Sequence, residues 1–183
     1  MYGLVNQAIH DMVCASFGEK TWQAIRLQAE IDVDNFLSME AYPDDLTHRL
    51  VKAASAVLGL SAAEIMQPFG EFWVDYTAKN GYGEIMDMEG DNLPDFLQNL
   101  DELHARVGVS FPQLQPPSFD CSEIEADSLT LYYNSSREKL APMVLGLVKG
   151  LGTKFNTQVK VTQTQSRQEG DENDTFLIQY KPN

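Results

Sequence analysis

The sequence predicts an α+β fold: a helical N-terminal part, then a smaller C-terminal antiparallel sheet with a packed helix. Three observations predict it. Up to about Arg106 the apolar residues recur at helical spacing. The segment Phe111-Pro-Gln-Leu-Gln-Pro-Pro-Ser118 then interrupts any regular structure, because each proline removes a backbone donor. Beyond it the apolar period switches to two, with one helical stretch between the alternating segments.

Taken in order, Val5, Ile9, Met12 and Val13 form one helical stripe, and Leu46, Leu50, Ala54 and Val57 a second. Ser61-Ala-Ala-Glu64 has the form of a capping box and predicts a helix start just before Ile65 and Met66. Pro68 then falls near its first turn or kinks it. Lys79-Asn-Gly-Tyr-Gly83 predicts a turn. Asn92 and Pro94 announce a helix running through Phe96, Leu97, Leu100, Leu103 and Val107 to a stop at Gly108. The proline-rich segment reads as an extended connection at the rim of a pocket. Leu129, Leu131 and Tyr133 alternate with Thr130 and Tyr132 as a half-buried strand. A helix through Leu140, Val144, Leu147, Val148 and Leu151 is expected to end at Gly150 and Gly152. Val159 and Val161, then Phe176, Ile178 and Tyr180, form two strands joined across the polar loop 168–174, an antiparallel hairpin.

At 183 residues the chain has the size of one domain and can bury a sizeable core and an internal pocket. Its net charge of −14 repels phosphate backbones, which argues against nucleic acid as a partner. No window approaches the run of ~18 apolar residues that a membrane span needs. The start, Met-Tyr-Gly-Leu-Val-Asn-Gln, lacks the basic and apolar regions of a signal peptide, so the expected location is the cytoplasm and no membrane partner is expected. Cys14 and Cys121 show no CxxC or zinc-type spacing and are expected to be reduced thiols.

With three histidines, a multi-histidine metal site is excluded by count. His10 and His48 read as surface residues of amphipathic helices. His104 shares the apolar stripe of Leu97, Leu100 and Val107. Two readings of it stand: a core histidine with backbone partners, or a neutral imidazole facing an apolar cavity, as an axial haem ligand requires. The run Tyr133-Asn-Ser135-Ser-Arg137 ends the predicted strand. If the strand continues, two hydroxyls and a guanidinium share the inward face of Leu129 and Leu131. Such donors suit a ligand with an apolar body and adjacent carboxylates, of which protoporphyrin IX is one. They equally suit a capping cluster with Arg137 paired to an internal acid.

Tyr133-x-Ser135-x-Arg137 resembles the Y-x-S-x-R propionate signature of the H-NOX family, the haem nitric oxide/oxygen binding domains that include the haem domain of soluble guanylate cyclase. His104 stands upstream of it where the family has its proximal ligand. Met1-Tyr-Gly-Leu-Val-Asn6 resembles the family's start, Leu103-His-Ala-Arg106 its proximal helix, and Pro142-Met-Val-Leu-Gly-Leu147 its distal-side helix. The likeness spans the whole chain and is nearest in appearance to cyanobacterial members.

The resemblance implies a single haem-binding domain over 1–183, with a helical subdomain over 1–60 and the proximal helix and sheet over 61–183. Haem b (protoporphyrin IX iron) would lie buried between the helical part and the sheet. His104 would hold the iron, and Tyr133, Ser135 and Arg137 the propionates. Val5, Trp73, Met143 and Leu147 would line the distal pocket, and Pro117 would press on the porphyrin. A one-residue shift around Met143 leaves Pro142 and Val144 open for its role. Trp73 also reads as a core aromatic of the Phe69-Phe72-Trp73-Tyr76 helix.

In dioxygen-binding members a tyrosine stands at the position of Met143, so this departure favours nitric oxide and carbon monoxide as ligands. The implied function is a gas sensor rather than an enzyme. Its occupancy is relayed by strain release at His104 to a separate histidine kinase or cyclic-dinucleotide enzyme. The competing readings are a non-haem module for a small carboxylate ligand, a haem carrier or peroxidase-like protein, and a hydrolase using Cys14 or Cys121. The last lacks any motif spacing.

Overall fold

Three helices, α1 (Gly3–Phe17), α2 (Glu19–Gln28) and α3 (Asp44–Leu58), carry the first third of the chain in this computed structural model, which describes residues 1–182. Leu4, Ala8, Ile9 and Val13 of α1 are buried, as are Trp22 and Ile25 of α2 and Leu46 and Leu50 of α3. Of the predicted stripes, Ile9 and Val13 on α1 and Leu46, Leu50 and Ala54 on α3 are buried, Val5 and Met12 are half-buried, and Val57 near the end of α3 is exposed. One polar pair is sealed among them, with the Thr47 hydroxyl donating to Asn6 Oδ1 at 2.8 Å.

Helix α4 (Ala62–Thr77) begins at the capping box: Ser61 N–H donates to Glu64 Oε2 at 2.9 Å, and Glu64 N–H to Ser61 Oγ at 3.2 Å. Pro68 lies in the helix interior, where its missing N–H leaves the Glu64 carbonyl without its usual partner, and the helix continues past it. The chain divides into two compact units, Met1–Phe69 and Gly70 onward. A division after residue 60 was expected. Gly59 does end α3, but the end of a helix is not the end of a packing unit, and the division falls inside α4.

In the second unit a wide turn, Ala78–Tyr82, leaves helical geometry at Asn80 and Gly81, within the predicted turn. Helices α5 (Gly83–Asp87), α6 (Leu93–Gln98) and α7 (Leu100–Gly108) follow. Asn92 caps α6 by accepting from Asp95 N–H at 3.0 Å. The single helix expected from Pro94 to Gly108 is two. It breaks at Asn99 (φ −101°, ψ 11°), whose side-chain amide donates to the Glu89 carbonyl at 2.8 Å.

Strands β1 (Ser118–Ser122), β2 (Ser128–Asn134), β3 (Thr157–Gln165) and β4 (Asp174–Pro182) form one antiparallel sheet in the order β1-β2-β4-β3. The β3–β4 hairpin is the expected one, and β1 is an edge strand absent from the predicted elements. Helix α8 (Ala141–Lys154) packs on the sheet. Its Val144, Val148 and Leu151 join Leu129, Leu131, Phe176 and Ile178, together with Phe96 and Leu97 of α6, in one core.

Helix α8 runs through Gly150 and Gly152 instead of stopping there. A Cβ at Gly150 would lie 2.9 Å from the Glu71 carbonyl oxygen, so this glycine serves close approach to α4 rather than termination. Gly70 faces α8 from the other side: a Cβ there would meet the Met143 carbonyl oxygen at 2.2 Å and Leu147 N at 2.8 Å. Backbone on both sides cannot yield as a side-chain tip would. Gly70→Ala is therefore expected to cost about 3 kcal/mol, at the upper end of overpacking penalties, read as a lowered midpoint in urea denaturation. No single helix among the described residues is long and apolar enough to cross a membrane.

Candidate haem site

His104 lies on α7, a helix with no fully buried residue, and its ring is the most chemically distinctive group there. The imidazole stacks on Phe119 with centroids 5.9 Å apart and planes 17° from parallel. Phe119 in turn packs against Tyr133 at 5.2 Å, and the two face each other across the β1–β2 ladder. Three rings thus form one row from α7 to β2. The buried Nδ1 of His104 has no hydrogen-bond partner among the described residues. Burial lowers the pKa of this imidazole below the ordinary histidine range, with the Asp101 carboxylate opposing, so the ring is neutral at pH 7.

Two bonds to one carboxylate set the height of α7 against β1. Asp101 Oδ1 accepts from Phe119 N–H at 2.9 Å, and the Ser118 hydroxyl donates to Oδ2 at 3.4 Å. At the other end of the helix Arg106 Nε lies 2.9 Å from Oε1 of Glu89, a carboxylate only 2% exposed. Glu89 thereby holds α7 twice, by its side chain to Arg106 and by its carbonyl to Asn99. Arg106→Ala would leave that buried charge without its ion pair and is expected to cost about 3 kcal/mol. Chemical denaturation measures the loss, and Arg106→Lys should restore part of it.

Tyr133 is buried at the end of β2. Burial raises its hydroxyl above the ordinary tyrosine range, while a hydrogen bond with Ser135 works the other way. It is therefore a neutral donor. Ser135 and Arg137 are not on the strand, as a continuation of its period would have put them. Strand β2 stops at Asn134, the last position paired with β1, and β4 has already ended its pairing opposite Tyr133.

The chain bends there, and the cluster is closed by local bonds. Ser135 is buried, its Oγ accepts from Arg137 N–H at 3.1 Å, and its carbonyl accepts from Arg167 Nη1 at 2.5 Å. Arg137 Nη1 donates to the Gln115 carbonyl at 2.7 Å, which brings the guanidinium to the proline segment two residues before half-buried Pro117. Two hydroxyls and a guanidinium thus converge near the row of rings. Arg167 joins this cluster without any sequence signal, because it comes from the β3–β4 connection.

The remaining predicted residues sort by unit. Trp73 lies one turn beyond Gly70 on α4, half-buried and stacked with Tyr76 at 6.3 Å. Met143 and Leu147 are half-buried on α8, with the backbone of both against Gly70, so these three belong to one α4–α8 neighbourhood. Val144, the alternative to Met143, is 2% exposed and belongs to the core. Val5 is half-buried on α1 in the first unit.

Both cysteines are free. Burial pushes the Cys121 thiol to about 11, with Asp120 and Asp101 adding, and Cys14 likewise stands at about 11 through burial and Glu19. Both thiols are therefore held protonated at neutral pH. Glu89, Asp101 and Phe119 were not singled out by sequence. Phe119 and Cys121 alternate after the prolines, a signal for β1 that was available.

The family described as Haem-NO-binding matches this chain over residues 2–163. The chain belongs to that family, whose domains bind haem.

Among curated relatives, the soluble guanylate cyclase gcy-31 of Caenorhabditis elegans is 30% identical over 162 residues, covering 88% of this chain and 23% of the cyclase. Gcy-32 of the same organism is 32% identical over 153 residues, covering 81% and 22%. The chain thus spans about a quarter of the length of these relatives.

A triple mutant of an H-NOX protein from S. oneidensis in the Fe(II) ligation state superposes with a TM-score of 0.92 at 18% identity, covering 100% of this chain and 97% of that one. The Fe(II) unliganded H-NOX protein from K. algicida gives 0.87 at 22% identity, covering 100% and 98%. At these identities the likeness is one of fold.

The residues present fit a haem. The buried, unpartnered Nδ1 of His104 belongs to a neutral imidazole, the protonation state a metal ligand requires. Tyr133, Ser135 and Arg137 carry hydroxyl and guanidinium donors of the type that carboxylates accept.

Proposed function

We propose that this chain is a haem-b-based sensor of nitric oxide and carbon monoxide, and that it relays their binding to a signalling partner. The observation that carries the reading is His104: a neutral ring with an unpartnered buried nitrogen, on a helix fastened at both ends, beside a cluster of carboxylate-directed donors. Haem would supply a ferrous iron that binds diatomic gases. His104 would be its protein ligand, and Tyr133, Ser135 and Arg137 would hold the propionates by charge-assisted bonds. Pro117 would bear on the ring edge. Val5, Trp73, Met143 and Leu147 would exclude water from the gas side.

Relay would begin at α7. The helix is tied through Asp101 to β1 and through Arg106 and Asn99 to Glu89. A change in the pull on His104 is thereby passed to the sheet and to the α5–α6 connection. It biases signalling only as far as the two arrangements of α7 differ in free energy. The output enzyme would be a histidine kinase or a cyclic-dinucleotide enzyme, and the sensor itself carries no catalytic role.

Gas choice tests the reading. Met143 and Leu147 offer no hydrogen-bond donor, and a donor bond of ~1.5–3 kcal/mol corresponds to roughly one to two decades in affinity. The reduced protein is expected to shift its Soret band with nitric oxide and with carbon monoxide while remaining unchanged in air over minutes. A stable spectral change in air alone would assign the donor role to Trp73 and contradict the proposed selectivity.

A further inference from the structure

The first unit holds a second constellation of ligating groups, which no sequence motif marks. His10 and Cys14 sit one turn apart on α1, and Gly18, at φ 83°, turns the chain so that Glu19 opens α2 beside them. His10 Nε2 lies 3.4 Å from Cys14 Sγ, the Cys14 thiol donates to Glu19 Oε2 at 3.2 Å, and His10 Nε2 is 3.8 Å from the same oxygen.

His10 and Glu19 are each oriented by neighbours outside the cluster. Asp11 Oδ1 accepts from His10 Nδ1 at 2.7 Å, which fixes the tautomer and leaves the Nε2 lone pair facing the sulfur. Trp22, itself buried, meets the His10 ring edge-on at 5.0 Å. Gln23 donates to Glu19 Oε1 at 2.6 Å and so leaves Oε2 for the cluster. A carboxylate on the outer nitrogen of a ligating histidine is the usual outer-shell partner of a zinc site.

We propose that His10, Cys14 and Glu19 form a binding site for a divalent transition metal of the zinc class. Imidazole, thiolate and carboxylate are its ligands, and a fourth position is open to water or an outside ligand. Zinc takes these three ligand types at about 2.0–2.3 Å in tetrahedral geometry, which places the ligand atoms about 3.4–3.6 Å from one another. The observed separations of 3.4, 3.2 and 3.8 Å bracket that spacing. Thiolate with imidazole selects against magnesium and calcium, which prefer oxygen ligands. The thiol proton leaves to solvent as the metal takes its place beside Glu19. His10 and Glu19 are 38% and 62% exposed, so an ion can reach the site.

The test uses the haem-loaded protein, stripped with a chelator and dialysed against one equivalent of zinc chloride. Metal analysis should return one zinc per chain. Zinc-edge X-ray absorption should give one sulfur at about 2.3 Å with nitrogen and oxygen at about 2.0–2.2 Å. Cys14→Ser should lose the sulfur shell, whereas Cys121→Ser should keep it. Asp11→Asn, at an exposed position, should weaken zinc roughly 10–100-fold by chelator competition. Absence of retained zinc, a sulfur shell that survives Cys14→Ser, or unchanged affinity in Asp11→Asn would each overturn the proposal.

Discussion

Replacing His104 by glycine is expected to give a folded protein that has lost its histidine-type haem spectrum. The fold survives because the ring is half-buried and stacks on Phe119 without a hydrogen bond at its buried nitrogen. Glycine in the helix adds a cost of about 1 kcal/mol relative to alanine. The spectrum is lost because no other histidine lies in the second unit: His10 is on α1 and His48 on α3. Free imidazole added to the variant should occupy the vacated space and restore the histidine-type bands. A normal five-coordinate histidine spectrum in His104→Gly protein without imidazole would assign the iron to His10 or His48.

The second large effect concerns how long haem stays. A charge-assisted bond contributes ~1.5–3 kcal/mol, so Arg137→Ala should speed haem transfer to an apo-globin acceptor roughly 10–100-fold. Ser135→Ala should do less directly, since Ser135 also receives the Arg137 backbone amide and acts partly by shaping the bend. Equal transfer rates for Arg137→Ala and the unaltered protein would mean that the guanidinium serves the protein alone, through contacts such as that to the Gln115 carbonyl.

Where local sequence and tertiary packing agree, the structure follows the periodicities. The capping box at Ser61–Glu64, the stripe of α1, the inward face of β2 and the β3–β4 hairpin are all such cases. Where packing overrides local preference, the sequence misleads. Asn99 breaks a helix with no proline or glycine present, because its amide is bound to the Glu89 carbonyl ten residues earlier. Gly150 has the form of a stop but permits the close approach of α8 to α4. Strand β1 follows a run of prolines and contributes only Phe119 and Cys121 as alternating apolar residues, and its existence depends on pairing with β2.

The site shows the same division. Tyr133 was legible from alternation, and its link to Ser135 and Arg137 from the family signature rather than from any strand period. The partners that hold α7, Glu89 and Asp101, were not legible. A buried acid paired with a half-exposed arginine leaves no pattern in one dimension. His10 illustrates the converse: expected at the surface, it is half-buried against Trp22, and the convergence of Cys14 and Glu19 upon it depends on the turn at Gly18.

Haem uptake through His104 is decided by the absorption spectrum of the protein titrated with haem under reducing conditions. Saturation at one haem per chain is expected, with a Soret band typical of five-coordinate ferrous haem bound by histidine. Absence of a Soret band, or haem uptake without saturation and without a histidine signature, would contradict it and leave the Tyr133, Ser135 and Arg137 cluster as a site for some other carboxylate.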